Sequence, residues 1–294
     1  MKIIESLEEL KECSKQLKDE GKTLASIDTY GDFHEAHGSL INVANDLADN
    51  TIITIDHMPQ YQDFSKEKYE EFLNKYKETT FLSDIKFCED RGVNFISHIP
   101  DTTWDMNESF DFVSPFIRKI INSSLRCHKK TIQEWTHLMK ELQPTFDVAG
   151  EKDFYQKIVF ENIIKDLNLP INSVGVPLIR ESDGLPYSSR NAELTDEERQ
   201  RSLLIYKTLK EISEWSSYPS VEEIKKYFIK GCGLVSSARR AYVKKDTSYV
   251  WFIDVCDAKT GEPLKIIDKE AAIVVAVNFG KGVYISDNII IQTG

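Results

Sequence analysis

The stretch Thr23-Leu-Ala-Ser-Ile-Asp28 runs straight into Thr29-Tyr-Gly-Asp-Phe-His34-Glu-Ala-His37. Its first half is a short apolar run rich in strand formers, and reads as a buried β-strand. Its second half opens helix-compatible sequence with two histidines at the start. The same strand-then-helix pattern recurs at Thr51 to Asp56 (TIITID). Val93 to Ile96 (VNFI), Phe146 to Ala149 (FDVA) and Asn172 to Ile179 (NSVGVPLI) continue the series. Strands alternating with helices predict an α/β fold built on a doubly wound parallel sheet, covered on both faces and joined by right-handed crossovers.

The pattern changes near Asp183. After the loop ESDGLPYSSRN comes a charged helix opened by Thr195-Asp-Glu-Glu198, a capping-box pattern, and then a second helical stretch from Val221 to Lys230. Three β-rich runs follow without long helices between them: Tyr249 to Cys256, Ala271 to Asn278 and Gly282 to Ile291. The expected organisation is a larger domain over residues 1–182 and a smaller C-terminal α+β domain over 183–294. No internal repeat and no low-complexity tract interrupts either.

Composition narrows the function. The 294 residues carry a formal net charge of -11, so a broad phosphate-binding surface and a long nucleic-acid partner are disfavoured. Cys13, Cys88, Cys127, Cys232 and Cys256 include no CxxC pair, which suggests neither a zinc site nor a redox couple. Idle thiols fit a reducing cytoplasm. The N-terminal MKIIESLEELKE is too charged for a signal peptide, and no run approaches the roughly 20 apolar residues of a membrane span.

Three blocks carry chemistry. His34 and His37, three residues apart at a helix start, share one face and sit where ligands bind a doubly wound sheet. The helix N-terminus adds amide N–H groups and partial positive charge, so the imidazoles could hydrogen-bond a triphosphate. Gly150-Glu-Lys152-Asp153-Phe-Tyr-Gln156 lies at a second strand-to-helix junction, with Lys152 as a mobile point charge and Gln156 one turn on. Asp183-Gly-Leu-Pro-Tyr187-Ser188-Ser189-Arg190-Asn191 brings hydroxyls and a guanidinium, both good phosphate donors, to the expected domain boundary. Taken singly, each block also reads as ordinary polar surface.

In this order, TYGDFHEAH, GEKDFYQ and DGLPYSSRN resemble the TMGxLHxGH, GEKDxxQ and DGLxxSSRN of the pantothenate synthetase family. KDLNLPINSVGVPLIRESDG, Gln143-Pro144 and the closing FGKGVYISDNIII extend the resemblance over about residues 24–291. It implies a Rossmann-like fold of the nucleotidylyltransferase superfamily and a two-step ligation in the cytoplasm. An acid, pantoate in the family, would be adenylated by MgATP and then passed to the amine of β-alanine, releasing pyrophosphate and AMP. By matching position, His34, His37, Lys152, Ser188, Ser189 and Arg190 would hold the phosphates, with His37 in the general-acid slot. Tyr30 and Gly31 would border the nucleotide, Gly150 and Asp153 would meet the ribose, and Val176 and Ile179 would offer backbone groups to adenine. Gln156 would bind the acid, and Asp84 would help hold magnesium. The resemblance also implies a homodimer, with no nucleic-acid or membrane partner.

The departures cluster around the expected acid pocket. Tyr30 and Tyr187 stand where the family has aliphatic residues, Asp32 replaces a small or neutral one, and Ala36 replaces the glycine of HxGH. The family's FVNPxQF reads here Asp56-His57-Met58-Pro59-Gln60-Tyr61-Gln62, so Gln60 or Gln62 could serve as the substrate glutamine only with a one-residue adjustment. Tyr30, Asp32, Asp56 and Tyr187 would make the pocket more polar, which suits either pantoate with hydrated carboxylates or a more polar acid. Two other readings stay open: a nucleotidylyltransferase with a dinucleotide-like product, and a binding protein that has lost turnover. His128 of SLRCHKKT matches a family histidine in altered surroundings.

Overall fold

The computed structural model describes residues 1–55, 80–99, 109–123, 129–236, 248–279 and 283–292. The chain divides into two compact units: one of Met1–Glu151 and Val159–Val176, the other of Lys152–Ile158 and Pro177–Gly294. The second unit thus starts earlier than residue 183 and takes in the short Lys152–Ile158 segment.

The first unit is built on six strands, β1 (Lys2–Ile4), β2 (Leu24–Thr29), β3 (Asn50–Ile55), β4 (Phe95–Ser97), β5 (Phe146–Gly150) and β6 (Asn172–Val176). Their order is β1-β4-β3-β2-β5-β6 and every pairing is parallel. Described helices of this unit are α1 (Leu7–Asp19), α2 (Glu35–Leu47), α3 (Phe81–Glu89), α4 (Pro115–Ile121) and α5 (Lys129–Leu142). A further helix, α6 (Phe154–Asp166), begins in the second unit and ends in the first. Near-continuous burial along β2 and β3 leaves no polar alternation, as a sheet covered on both faces requires. Ala25, Ile27, Ile41, Ile53, Ile96 and Val148 form the centre of one core cluster.

The strand order fixes where a ligand belongs. From β2 the chain steps outward through β3 and β4 on one side, and β5 and β6 lie on the other. The reversal therefore falls between β2 and β5, and the crevice outside the carboxyl ends of those two strands is the favoured site in such sheets. These are the strands followed by the histidine block and by GEKDFYQ.

The second unit carries β7 (Val235–Ser236), β8 (Tyr249–Asp257), β9 (Ala271–Asn278) and β10 (Tyr284–Ile291) in the order β10-β9-β8-β7. The β8–β9 and β9–β10 pairings are antiparallel and β7–β8 is parallel. Helix α7 (Asp196–Ser213) starts at the expected capping box, with Thr195 and Glu198 exchanging side-chain and backbone hydrogen bonds. Leu209 of α7 and Ile224 and Phe228 of α8 (Val221–Gly231) join Ile273 and Val275 of β9 in this unit's core. Among the described residues, no helix is long and apolar enough to cross a membrane.

Candidate active site

The loop after β2 turns tightly. Gly31 has φ +75 and Asp32, although not glycine, has φ +56. The Gly31 amide donates to Thr29 Oγ1 at 3.2 Å. The next two amides, of Asp32 and Phe33, donate to the two oxygens of Asp84, Oδ2 at 2.8 Å and Oδ1 at 3.0 Å. Asp84, in the first turn of α3, is only 2% exposed.

His34 then takes an extended conformation (φ -142, ψ 178) and caps α2. Its amide donates to Nδ1 of His37 at 3.3 Å, and the two imidazoles stack with centroids 4.1 Å apart. The edge of Phe33 meets the His37 ring at 5.1 Å, and Phe33 stacks on Phe87 of α3 at 5.6 Å. Arg91 lies 3.6 Å over Phe87 and pairs with Glu35 at 3.0 Å. At Gly38, one residue past the second histidine, an added Cβ would lie 3.0 Å from Arg91 Nε.

Tyr30 is half-buried, its hydroxyl 2.7 Å from Thr131 Oγ1 on α5. Asp32 is exposed. Gly150 ends β5 with open space where a Cβ would be, and the Glu151 amide donates to the carbonyl of Val176 at 2.9 Å. Asp56, Gln60 and Gln62, like Cys127 and His128, lie outside the described residues. The four described cysteines are buried and free, and burial pushes the Cys88 thiol up to about 12. That agrees with their reading as inert. No three His, Cys, Asp or Glu side chains gather as a metal site among the described residues.

In the second unit Lys152 and Arg190 come close enough for their charges to interact. Burial pushes the Lys152 ammonium below the usual lysine range; Asp153 and Asp287 oppose the shift, and Arg190 adds to it. Lys152 Nζ donates to the Tyr187 carbonyl at 2.8 Å. Ser188 caps the 3-10 turn Ser189–Glu193, and its Oγ accepts the Arg190 amide at 3.4 Å. The Arg190 guanidinium lies 5.6 Å from the Tyr284 ring centre. The Tyr187 amide donates to the carbonyl of Ile179 at 3.1 Å. Gln156 is half-buried in the first turn of α6, and Asp153 is exposed.

The loop carrying Ser188, Ser189 and Arg190 is held by residues that the sequence reading did not single out. Arg180 grips Asp287 of β10 with both terminal nitrogens at 2.8 Å, and donates to the Gly184 carbonyl at 3.1 Å. Arg199 bridges Glu181 and Asp183. Asn191 Nδ2 donates to the Pro186 carbonyl at 2.9 Å, and the Asn288 side chain donates through Nδ2 to the Lys152 carbonyl at 3.0 Å. One sequence signal pointed here: Asp287 and Asn288 interrupt the apolar strand YISDNIII, and a buried charge in such a strand needs a partner.

The first unit thus presents a stacked imidazole pair at a helix N-terminus, and the second a framed lysine–arginine pair with two serines. Both are groups that hold phosphates and stabilise charge building on them.

Comparison with known proteins agrees. A model of the Pantoate-beta-alanine ligase family matches residues 2–290. Pantothenate synthetase of Clostridium botulinum is 29% identical over 289 residues, 96% of each chain. That of Thermosipho africanus is 30% identical over 301 residues, 99% of this chain and 100% of the other. Among solved structures, pantothenate synthetase from Thermus thermophilus shares the fold with a TM-score of 0.76 at 22% identity, covering 98% of this chain and 99% of that one. Pantoate-beta-alanine ligase from Francisella tularensis, complexed with beta-gamma ATP and beta-alanine, gives 0.65 at 19% identity, covering 100% and 99%. With its family model matched almost end to end, the chain belongs to the pantoate-beta-alanine ligase family.

Proposed function

We propose that the chain joins pantoate to β-alanine at the expense of ATP, and that His34, His37, Lys152 and Arg190 act on one and the same nucleotide. The observation that carries this reading is that Lys152 Nζ donates at 2.8 Å to the Tyr187 carbonyl, which sets the lysine against the loop of Ser188 and Arg190 in a chain of net charge -11. Two like charges held together gain stability when an anion such as a phosphate sits between them.

In the first step a carboxylate oxygen of pantoate attacks the α-phosphorus, and the bond to the β-phosphate oxygen breaks. Pyrophosphate leaves with the bonding electrons, and the acyl-adenylate remains. Lys152 and Arg190 neutralise charge growing on the phosphates, and His34 and His37 add hydrogen bonds to it. In the second step the neutral amine of β-alanine attacks the acyl carbon. AMP leaves, and the amine nitrogen loses a proton to solvent as the amide forms. Gln156 and the Tyr30 hydroxyl serve the acid, and Gly150, Asp153, Val176 and Ile179 border the nucleoside. Tyr187 lines the acid side through its ring, Ser189 faces the phosphates, and Gly31 borders the nucleotide.

Each oxygen of Asp84 already accepts a backbone amide, from Asp32 and Phe33, which favours an anchoring role for this carboxylate over direct magnesium ligation. Magnesium would be held chiefly by the ATP phosphates and would neutralise their charge. The protein works as a cytoplasmic homodimer.

Pantoate labelled with ¹⁸O in its carboxylate tests the chemistry. The reading requires one labelled oxygen to appear in AMP and one to stay in the amide. AMP free of label would exclude the acyl-adenylate. A second reading, a more polar acid, is motivated by the polar residues Tyr30 and Asp32 of the loop after β2, where the family has aliphatic or small ones. A panel of hydroxy and amino acids under the same assay separates the two, because turnover with pantoate alone removes the second.

A further inference from the structure

We propose that Asp84 is a positioning residue that locks the loop ahead of α2 and, through it, the ring tautomer of His37. The inference rests on the adenylate-forming reading above and adds a role for a residue that touches no reactant.

A turn through the left-handed region can aim consecutive backbone amides the same way. Gly31 at φ +75 and Asp32 at φ +56 supply that turn. The result is a concave nest of N–H groups of the type that binds anions. Here the chain fills its own nest: the Asp84 carboxylate accepts from Asp32 at 2.8 Å and from Phe33 at 3.0 Å. Charge-assisted bonds of this kind are stronger than neutral ones, and at 2% exposure little water competes for Asp84. They also offset the strain of a non-glycine residue at positive φ.

The two anchored amides immediately precede His34. Helix α3 reinforces the hold with a second contact, Phe87 stacked on Phe33 at 5.6 Å, while Phe33 meets the His37 ring at 5.1 Å. With the loop fixed, the His34 amide reaches His37 Nδ1 at 3.3 Å. A ring nitrogen that accepts a hydrogen bond carries no proton, so neutral His37 keeps its proton on Nε2. His37 is therefore a ready-made Nε2–H donor for charge developing on a phosphate, without first having to be an imidazolium. Asp84 governs this at a distance, as outer-shell carboxylates do for metal-bound histidines.

The competing role for Asp84 is direct ligation of magnesium, and the two separate experimentally. Asp84→Asn keeps the shape but puts an NH₂ group against one of the two amides. We expect kcat to fall roughly tenfold to a hundredfold, with the magnesium concentration for half-maximal rate unchanged. In ¹⁵N spectra of the ligand-free protein, wild-type His37 should show a pyridine-type Nδ1 and a pyrrole-type Nε2. The variant should show a tautomer mixture, with shifted Asp32 and Phe33 amides. A raised magnesium requirement, with kcat restored by excess ion, would overturn the proposal; so would an unchanged His37 tautomer. Should Asp84→Asn not fold, Phe87→Leu probes the same clamp: a smaller kcat loss with tautomer mixing is expected, and wild-type behaviour in both would count against it. Failure of the wild type to turn over pantoate would instead strike the functional reading, because the tautomer measurement uses no substrate.

Discussion

Arg180 and Asp287 form a two-pronged ion pair across 107 residues of sequence, with both N–O distances 2.8 Å. The Asp287 side chain is fully buried, and the guanidinium also covers Tyr206 at 3.6 Å. Burial still pushes the Asp287 carboxyl upward, although Arg180 opposes it. Such a pair is weak evidence for net stability, but breaking it strands a buried charge. Arg180→Ala should therefore cost about 3–5 kcal/mol in urea denaturation. The double variant with Asp287→Ala should lose less than the sum of the singles, because neither partner is then left alone.

Gly184 starts the loop that carries Ser188, Ser189 and Arg190. Its φ is +100, and an added Cβ would lie 2.9 Å from Tyr206 Cδ1. Strain and clash act together, so Gly184→Ala should destabilise by about 1–3 kcal/mol. Because Tyr206 supports Arg180, ATP affinity measured by calorimetry should fall as well.

Asp147 sits on β5 at 1% exposure, its Oδ1 within 3.4 Å of Trp135 Nε1 and 3.5 Å of Ser26 Oγ. Burial raises its pKa from 3.8 to about 7, against the pull of the Trp135 and Ser26 hydrogen bonds. The folded state therefore holds a proton that the unfolded chain has released. Stability should fall as pH rises from 3.8 to about 7 and level off above that. Asp147→Asn should abolish this slope and stabilise the protein at pH 8 by up to about 4 kcal/mol. Denaturant titrations of both proteins at pH 5 and pH 8 read the effect.

In the proposed mechanism Lys152 acts as a cation, and burial makes it a weaker base than an ordinary lysine. Its charged form is present below its folded pKa and lost above it, so the alkaline limb of the kcat profile should lie below the usual lysine range. Lys152→Ala should lower kcat and kcat/KM together, by about a hundredfold to a thousandfold, as expected for a contact made in the transition state. Lys152→Arg should recover little, since a planar guanidinium cannot occupy the 2.8 Å contact to the Tyr187 carbonyl in the same way.

What was legible in the sequence followed from local patterns. β2 and β5 stood out as apolar runs, and the blocks after them fell at the reversal of strand order. The three β-rich runs near the C-terminus became β8, β9 and β10. Strand β1 was missed because three residues, Lys2–Ile4, are too short to show a period. The crossing between the units was hard to place because Lys152–Ile158 joins the second unit while the rest of α6 joins the first. The work of Asp84 was invisible because it joins residues far apart in sequence, which no periodicity encodes; the polar break at Asp287 in YISDNIII marked a buried charge but could not name Arg180 as its partner. The burial of Asp147 was hidden for another reason: a strand covered on both faces does not alternate, so nothing marked which side its one carboxylate faced.

In the proposed reaction the chain activates pantoate as an adenylate before the amine acts. ATP–pyrophosphate exchange without β-alanine tests this most directly. Label should enter ATP only when pantoate is present, and Lys152→Ala should abolish it. Absence of exchange with pantoate, or exchange that needs the amine, would contradict the account.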